Sequence, residues 1–111
     1  MLNQVVMVGR LTSNPEVVYA GDEKEKSQIT IAIPRSYKNA DGEYETDFVD
    51  CILWGGVATN TAEYCKKGDL IGIKGRIQTN NFETNNGDKR KITQVIAEKI
   101  TFLSSNKSYN N

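Results

Sequence analysis

Tyr37, Phe48, Trp54 and Phe82 stand among cations and short polar side chains, and their spacing is what could do chemistry in this chain. Phe48 and Trp54 bracket a β-like run, FVDCILW, with Asp50 between them. In an extended strand, residues six apart share a face and lie roughly 20 Å apart. They cannot stack on each other, but they could serve two separate flat groups. Tyr37 sits in PRSYKN, flanked by Arg35 and Lys38. In LIGIKGRIQTNNFE, alternation places Lys74, Arg76, Gln78, Asn80 and Phe82 on one face and Ile71, Ile73 and Ile77 on the other. Rings interleaved with cations, on strands whose backs are apolar, meet the demands of an unpaired nucleic acid strand: π-faces for bases, positive charge for phosphates. The plain alternative for any one aromatic in a strand is core or cross-strand packing. It holds less well for a set of rings with basic neighbours. Lys66 and Lys67 fit two roles equally, as phosphate contacts or as partners of a helix C-terminus.

Other chemistries find no support. The chain has no histidine, so neither a Ser/His nor a Cys/His pair can be built. Cys51 and Cys65 form no CxxC pair and suggest no zinc site; they read as buried, reduced thiols. Asp47 and Asp50, three apart in a strand, point to opposite faces and do not converge. Asp22, Glu23 and Glu25 read as a solvated loop run. Gly72 and Gly75 lack the following GK[ST] of a phosphate loop and lie within a strand. The expectation is a protein without enzymatic apparatus, cofactor or metal. Fourteen basic residues balance fourteen acidic ones, so any polyanion site must come from local arrangement. Nothing apolar runs near the 18 residues of a membrane span. MLNQVVMVGR has neither a basic leader nor a cleavage site and reads as a strand, which places the chain in the cytoplasm.

The elements that must hold these residues are mostly strands. NQVVMVGRL opens one, with Val6, Val8 and Arg10 on one face and Val5 and Met7 on the other. TSNPE breaks it, and Val17, Val18 and Tyr19 resume a short extended piece. SQITIAIP aligns Ile29, Ile31 and Ile33. RSYKNADGEYE runs from a strand end into a loop turning at Asp41-Gly42. The next strand has Val49, Cys51 and Leu53 as its core face and Phe48, Asp50, Ile52 and Trp54 opposite. GGVATNTAEYCKKGD is the one credible helix, with Lys66 and Lys67 at its C-terminal end and Gly68 as its stop. LIGIKGRIQTNNFE follows, its two glycines marking bends or bulges. TNNGD is a hairpin turn, and KRKITQVIAEKITFL returns. This order predicts an all-β fold: a five-stranded OB-type barrel with one α-helix between strands 3 and 4. A plain sandwich, which needs no helix, is the competitor. Residues 1 to 103 would form the domain, and residues 104 to 111 a disordered polar tail.

At these residues the chain resembles a known family, the bacterial-type single-stranded DNA-binding proteins. NQVVMVGRLTSNPEVVY resembles the family's opening strand and turn, and ITIAIPRSYKN its second long strand and aromatic. TDFVDCILWGG resembles the third strand, with ring positions at 48 and 54. AEYCKKGDLIGIKGRIQTNNFE resembles the helix end, the glycine-bearing strand and the fourth aromatic. The resemblance implies an OB fold and sequence-independent wrapping of single-stranded DNA, in replication, recombination or repair, or in transformation or phage and mobile-element DNA metabolism. It implies a nucleoid-associated homotetramer, a dimer of dimers joined through the N-terminal strands near residues 3 to 8. It implies base stacking by Tyr37, Phe48, Trp54 and Phe82. Arg10, Lys38, Lys67 and Arg76 match or neighbour its phosphate-contacting positions; Lys74 joins them by its strand face and Arg35 by local logic only.

Some positions depart from the family pattern. Chromosome-maintaining members usually carry a long linker and an acidic tip that recruits repair enzymes. This sequence ends in SYNN, so no tail-mediated recruitment is expected. A tail-less paralogue, a phage or mobile-element version and a trimmed chain all fit that ending. Gly56 and Val18 stand where lysine and arginine are frequent, Asn80 and Asn81 near positions often basic, and Asp50 where a neutral or basic residue is common. Together they predict weaker binding with a shallower salt dependence than basic relatives have. Asp50 would space the two rings with a group that repels phosphate. Two rivals stay open: an OB module for RNA or a protein partner, and a small carboxylate nuclease.

Overall fold

Alternation of side chains builds this fold. The computed structural model describes residues 1–21 and 24–105. Among them the chain runs β1 (Val5–Leu11), β2 (Val18–Ala20), β3 (Lys24–Lys38), β4 (Tyr44–Trp54), α1 (Gly55–Tyr64), β5 (Leu70–Glu83) and β6 (Lys89–Ser104). In β3, Ile29 and Ile31 turn inward and are sealed, as are Cys51 and Leu53 in β4 and Ile71 and Ile73 in β5. Each such fully buried aliphatic contributes about 1.5–3 kcal/mol. They meet Leu11, Ala58 and Cys65 in one core, with Met7, Ile33 and Val49 packed against it.

The strands hydrogen-bond in the order β1-β5-β6-β4-β3-β2, and β1 also pairs with β3. That last pairing, Arg10↔Ala32 and Leu11↔Ile31, closes five strands into a barrel and rules out the sandwich. β2 is a short edge strand on β3. β4 and β6 run parallel through Cys51↔Val95 and Ile52↔Ile96, while the other pairs are antiparallel. The expected OB-type barrel is therefore present, with its helix between the third and fourth long strands, β4 and β5.

The helix ends earlier than its pattern suggested. It stops at Tyr64; Cys65 is extended (φ −118°, ψ 151°) and its N–H donates to the Thr61 carbonyl. Burial of Cys65 in the core pulls the chain out of the helix there. KKGD then makes a tight turn of its own: the Asp69 N–H donates to the Lys66 carbonyl at 3.0 Å. Gly68, at φ +90°, does occupy a left-handed position, but for this turn and not as the helix stop. Lys66 and Lys67 thus lie beyond the helix and are not residues of its last turn.

The two glycines of β5 differ. At Gly75 the β5–β6 register shifts, and a Cβ there would stand 2.2 Å from the Ile96 carbonyl oxygen. Only glycine lets the strands approach so closely. Gly72 lies in regular pairing, and a Cβ there would meet only ordinary contacts at 3.8 Å. Ile77, expected on the apolar face, is 45% exposed. It stands at the barrel rim, where β1 has ended and the Asn3 amide brackets its backbone, donating to its carbonyl and accepting from its N–H. The hairpin beyond it projects past the core, and Thr79 to Glu83 are all exposed. The expected loop run at Asp22 and Glu23 lies outside the described residues, as does the expected tail from residue 106 onward; Ser104 closes β6.

Candidate nucleic-acid interface

The outer side of β4 carries Tyr44, Thr46, Phe48, Asp50, Ile52 and Trp54, all of one parity in an unbroken strand. Ladder partners extend that side across the sheet. Trp54 lies opposite Lys26, Ile52 opposite Gln28, Asp50 opposite Thr30 and Phe48 opposite Ala32 on β3. On the other flank Ile52 pairs with Ile96, which pairs with Arg76. Farther along the β5–β6 hairpin, Gln78 faces Gln94 and Phe82 faces Arg90. Ile52 is not exposed as its ring-bearing side suggested. It and Ile96 are buried yet stand apart from the barrel core, forming an apolar floor between the polar rows.

Three of the four expected rings are open to solvent: Tyr37 at 64%, Phe48 at 67% and Phe82 at 51% exposure. Trp54 is half-buried, with Lys24 Nζ 4.9 Å and Lys26 Nζ 5.4 Å from its ring centroid. Both lysines are drawn by the negative π-face. Tyr37 lies in the register shift of β3 between Pro34 and Lys38, so simple alternation does not assign it to the Phe48 side.

The expected cations divide into two groups. Lys38, Lys67 and Lys74 are exposed; Lys74 lies in register with Val6 on one side and Lys99 on the other. Arg76 is partly engaged, donating to Gln78 Oε1 at 3.2 Å and pairing with Glu98 at 3.4 Å. Arg10 donates to the Gly68 carbonyl at 2.9 Å and so ties the KKGD turn to β1. Arg35 pairs with Glu45 at 2.7 Å and Asp47 at 2.9 Å. Its hydrogen bond and charge hold the Asp47 carboxyl below the usual range, and Asp47 in turn holds the guanidinium proton more tightly. A phosphate at Arg35 would have to displace two carboxylates. Asp47 and Asp50 face opposite ways as expected, Asp47 to Arg35 and Asp50 to the Thr30 hydroxyl, which donates to it.

Sequence reasoning missed several residues. Lys24 and Lys26 were hidden because AGDEKEK reads as loop, whereas the structure continues β3 through them. Val18, where the family pattern favours arginine, pairs with Lys26, so a cation is supplied one strand over. Lys89, Arg90 and Lys91 line a groove of about 520 Å³ with Asn81, Phe82 and Glu83. Tyr44 shares the Phe48 parity and is 59% exposed, but its segment reads as loop from sequence.

Cys51 and Cys65 are both buried free thiols; burial, with some help from Asp50, pushes the Cys51 thiol up to about 11, and burial also raises Cys65. They behave as core residues, as expected. Among the described residues no three acidic, cysteine or histidine side chains cluster as metal ligands, and no helix is long and apolar enough to cross a membrane.

The model of the single-strand binding protein family matches residues 2–103. The chain belongs to that family. Within the family it is 46% identical over 103 residues to single-stranded DNA-binding protein B of Bacillus subtilis (strain 168), covering 93% of this chain and 91% of that protein. It is 45% identical over 108 residues to single-stranded DNA-binding protein 1 of Lactococcus lactis subsp. lactis (strain IL1403), covering 97% of this chain and 72% of that one. It is 43% identical over 103 residues to single-stranded DNA-binding protein 1 of Streptococcus pyogenes serotype M18, covering 93% and 79% respectively. The family match spans the barrel from before β1 to Leu103, the residue before the last of β6.

Proposed function

We propose that this protein coats single-stranded DNA without regard to sequence and without catalysis. The observation that carries the reading is the set of exposed rings, Phe48, Phe82 and Tyr37, on a sheet that also presents Trp54 with two lysines at its ring. Every base has a π-face, so stacking is tolerant of sequence and worth about 1–3 kcal/mol per base. Lys24, Lys26, Lys38, Lys67, Lys74 and Arg76 would meet phosphates and release their counterions. Arg10 and Arg35 would act chiefly within the protein, one fastening a turn and the other a hairpin. Residues 1 to 103 would be the binding unit, and covering the strand would block re-annealing and nuclease access during replication, recombination, repair or uptake of DNA. The exposed outward side of β1, with Val6 and Val8, supports pairing of copies through that strand into dimers and then a tetramer.

A titration of Trp54 fluorescence with oligo-dT, at two salt concentrations, tests the proposal. Quenching that saturates at a fixed nucleotide-to-protein ratio is expected. Absence of any oligo-dT binding would overturn it, and preference for an RNA oligonucleotide would redirect it to RNA.

A further inference from the structure

We propose that Tyr44 is a further base-stacking position and that Lys38 beside it holds the phosphate of the base lying there. This rests on the single-stranded DNA reading above. The irregularity in the β3–β4 pair falls in β3: from Pro34↔Thr46 to Lys38↔Tyr44, β3 advances twice as far as β4. The alternation of β4 is therefore intact from Tyr44 to Trp54, and Tyr44 shows its ring on the same side as Phe48. Tyr37, the ring that the sequence suggests for this end of the sheet, sits inside the irregular stretch. Tyr44 thus continues the line of rings along β4 more directly than Tyr37 does.

Two further observations point to a ligand. Tyr44 is 59% exposed, beside the turn that joins β3 and β4. Lys38 Nζ lies 5.7 Å from its centroid. An ammonium held at a ring leaves the exposed remainder of the π-face to a base and brings a cation within reach of that base's phosphate. The track would then run from Trp54 past Phe48 to Tyr44, roughly 33 Å along the strand. The competing role for the pair is cross-strand support of the hairpin.

Anisotropy titrations with labelled oligo-dT at two salt concentrations separate these roles. Tyr44→Ala is expected to weaken binding about tenfold at both salts, because a ring and no cation is lost. Tyr44→Phe, which keeps the π-face, should stay within about twofold of wild type. Lys38→Gln should lower the salt slope by about one. If Tyr44→Ala melts early, Tyr44→Leu keeps apolar cover without a π-face and should show the same loss. Wild-type affinity in both Tyr44→Ala and Tyr44→Leu, or an equal loss in Tyr44→Phe, would overturn the assignment. Phe48→Ala serves as the reference: weakened binding there beside unaltered Tyr44 variants would sink only this inference. Failure of the wild-type protein to bind would sink the reading beneath it.

Discussion

Asp50 stands on the ring-bearing side of β4, and the Thr30 hydroxyl that donates to it leaves its charge in place. A phosphate backbone passing near it meets repulsion. Asp50→Asn should therefore tighten oligo-dT binding by about 1 kcal/mol, several-fold in Kd at low salt, with a smaller gain at high salt. Unchanged affinity would mean that the backbone runs elsewhere. Arg35 and Lys26 make a second contrast. Arg35 is spent on Glu45 and Asp47, whereas Lys26 rests on Trp54. Lys26→Gln is expected to lower the salt slope by about one, and Arg35→Gln to leave it unaltered, in the same titration. The Arg35 pair also has a pH signature. Asp47 titrates lower in the folded protein than in the unfolded chain, so its contribution is complete above the unfolded carboxylate value, about pH 4, and fades as pH falls through the folded one. Urea midpoints of wild type and Asp47→Asn should differ at pH 7 and converge toward pH 3. Parity made Phe48 and Phe82 legible from sequence as exposed ring positions. The partners of Arg35 were not legible, because they lie across a hairpin whose register a sequence does not give.

At the scale of elements, Gly75 is the position on which the barrel's curvature turns. A Cβ there would drive into the Ile96 backbone, and no flexible side chain can yield. Gly75→Ala should cost about 2 kcal/mol or more, read as a lower urea midpoint, while Gly72→Ala should stay within about 1 kcal/mol. The strands were legible because β3 and β5 alternate apolar with polar or small residues through Ile29–Ile31 and Ile71–Ile73, and β4 carries the apolar run Cys51–Leu53. The helix was legible in kind and not in length. Cys65, Lys66 and Lys67 continue a helical pattern well enough, and only the tertiary burial of Cys65 and the Lys66–Asp69 turn end it. The hairpin strands ran farther than turn residues suggested, which is why Tyr44, Lys24 and Lys26 looked like loop residues.

For the whole molecule, zero formal net charge means that no long-range field draws DNA in, and capture depends on the local rows of cations. The outward side of β1, with Val6 at 72% and Val8 at 49% exposure, is the surface proposed above for pairing of copies. On that proposal, Val8→Glu should lower the sedimenting mass below that of the wild-type assembly in sedimentation velocity, without lowering the barrel's own far-ultraviolet signal, and an unchanged mass would overturn it. One long-range feature was legible only as an element order. β6 bridges β5 and β4 within the barrel, lying parallel to β4 through Val95 and Ile96. During synthesis, then, β4 has one flank without its partner until β6 has left the ribosome. An unpaired flank of that kind recruits stray strands. Shielding of the nascent chain, and prompt delivery of β6, would bear on how much usable protein a cell obtains.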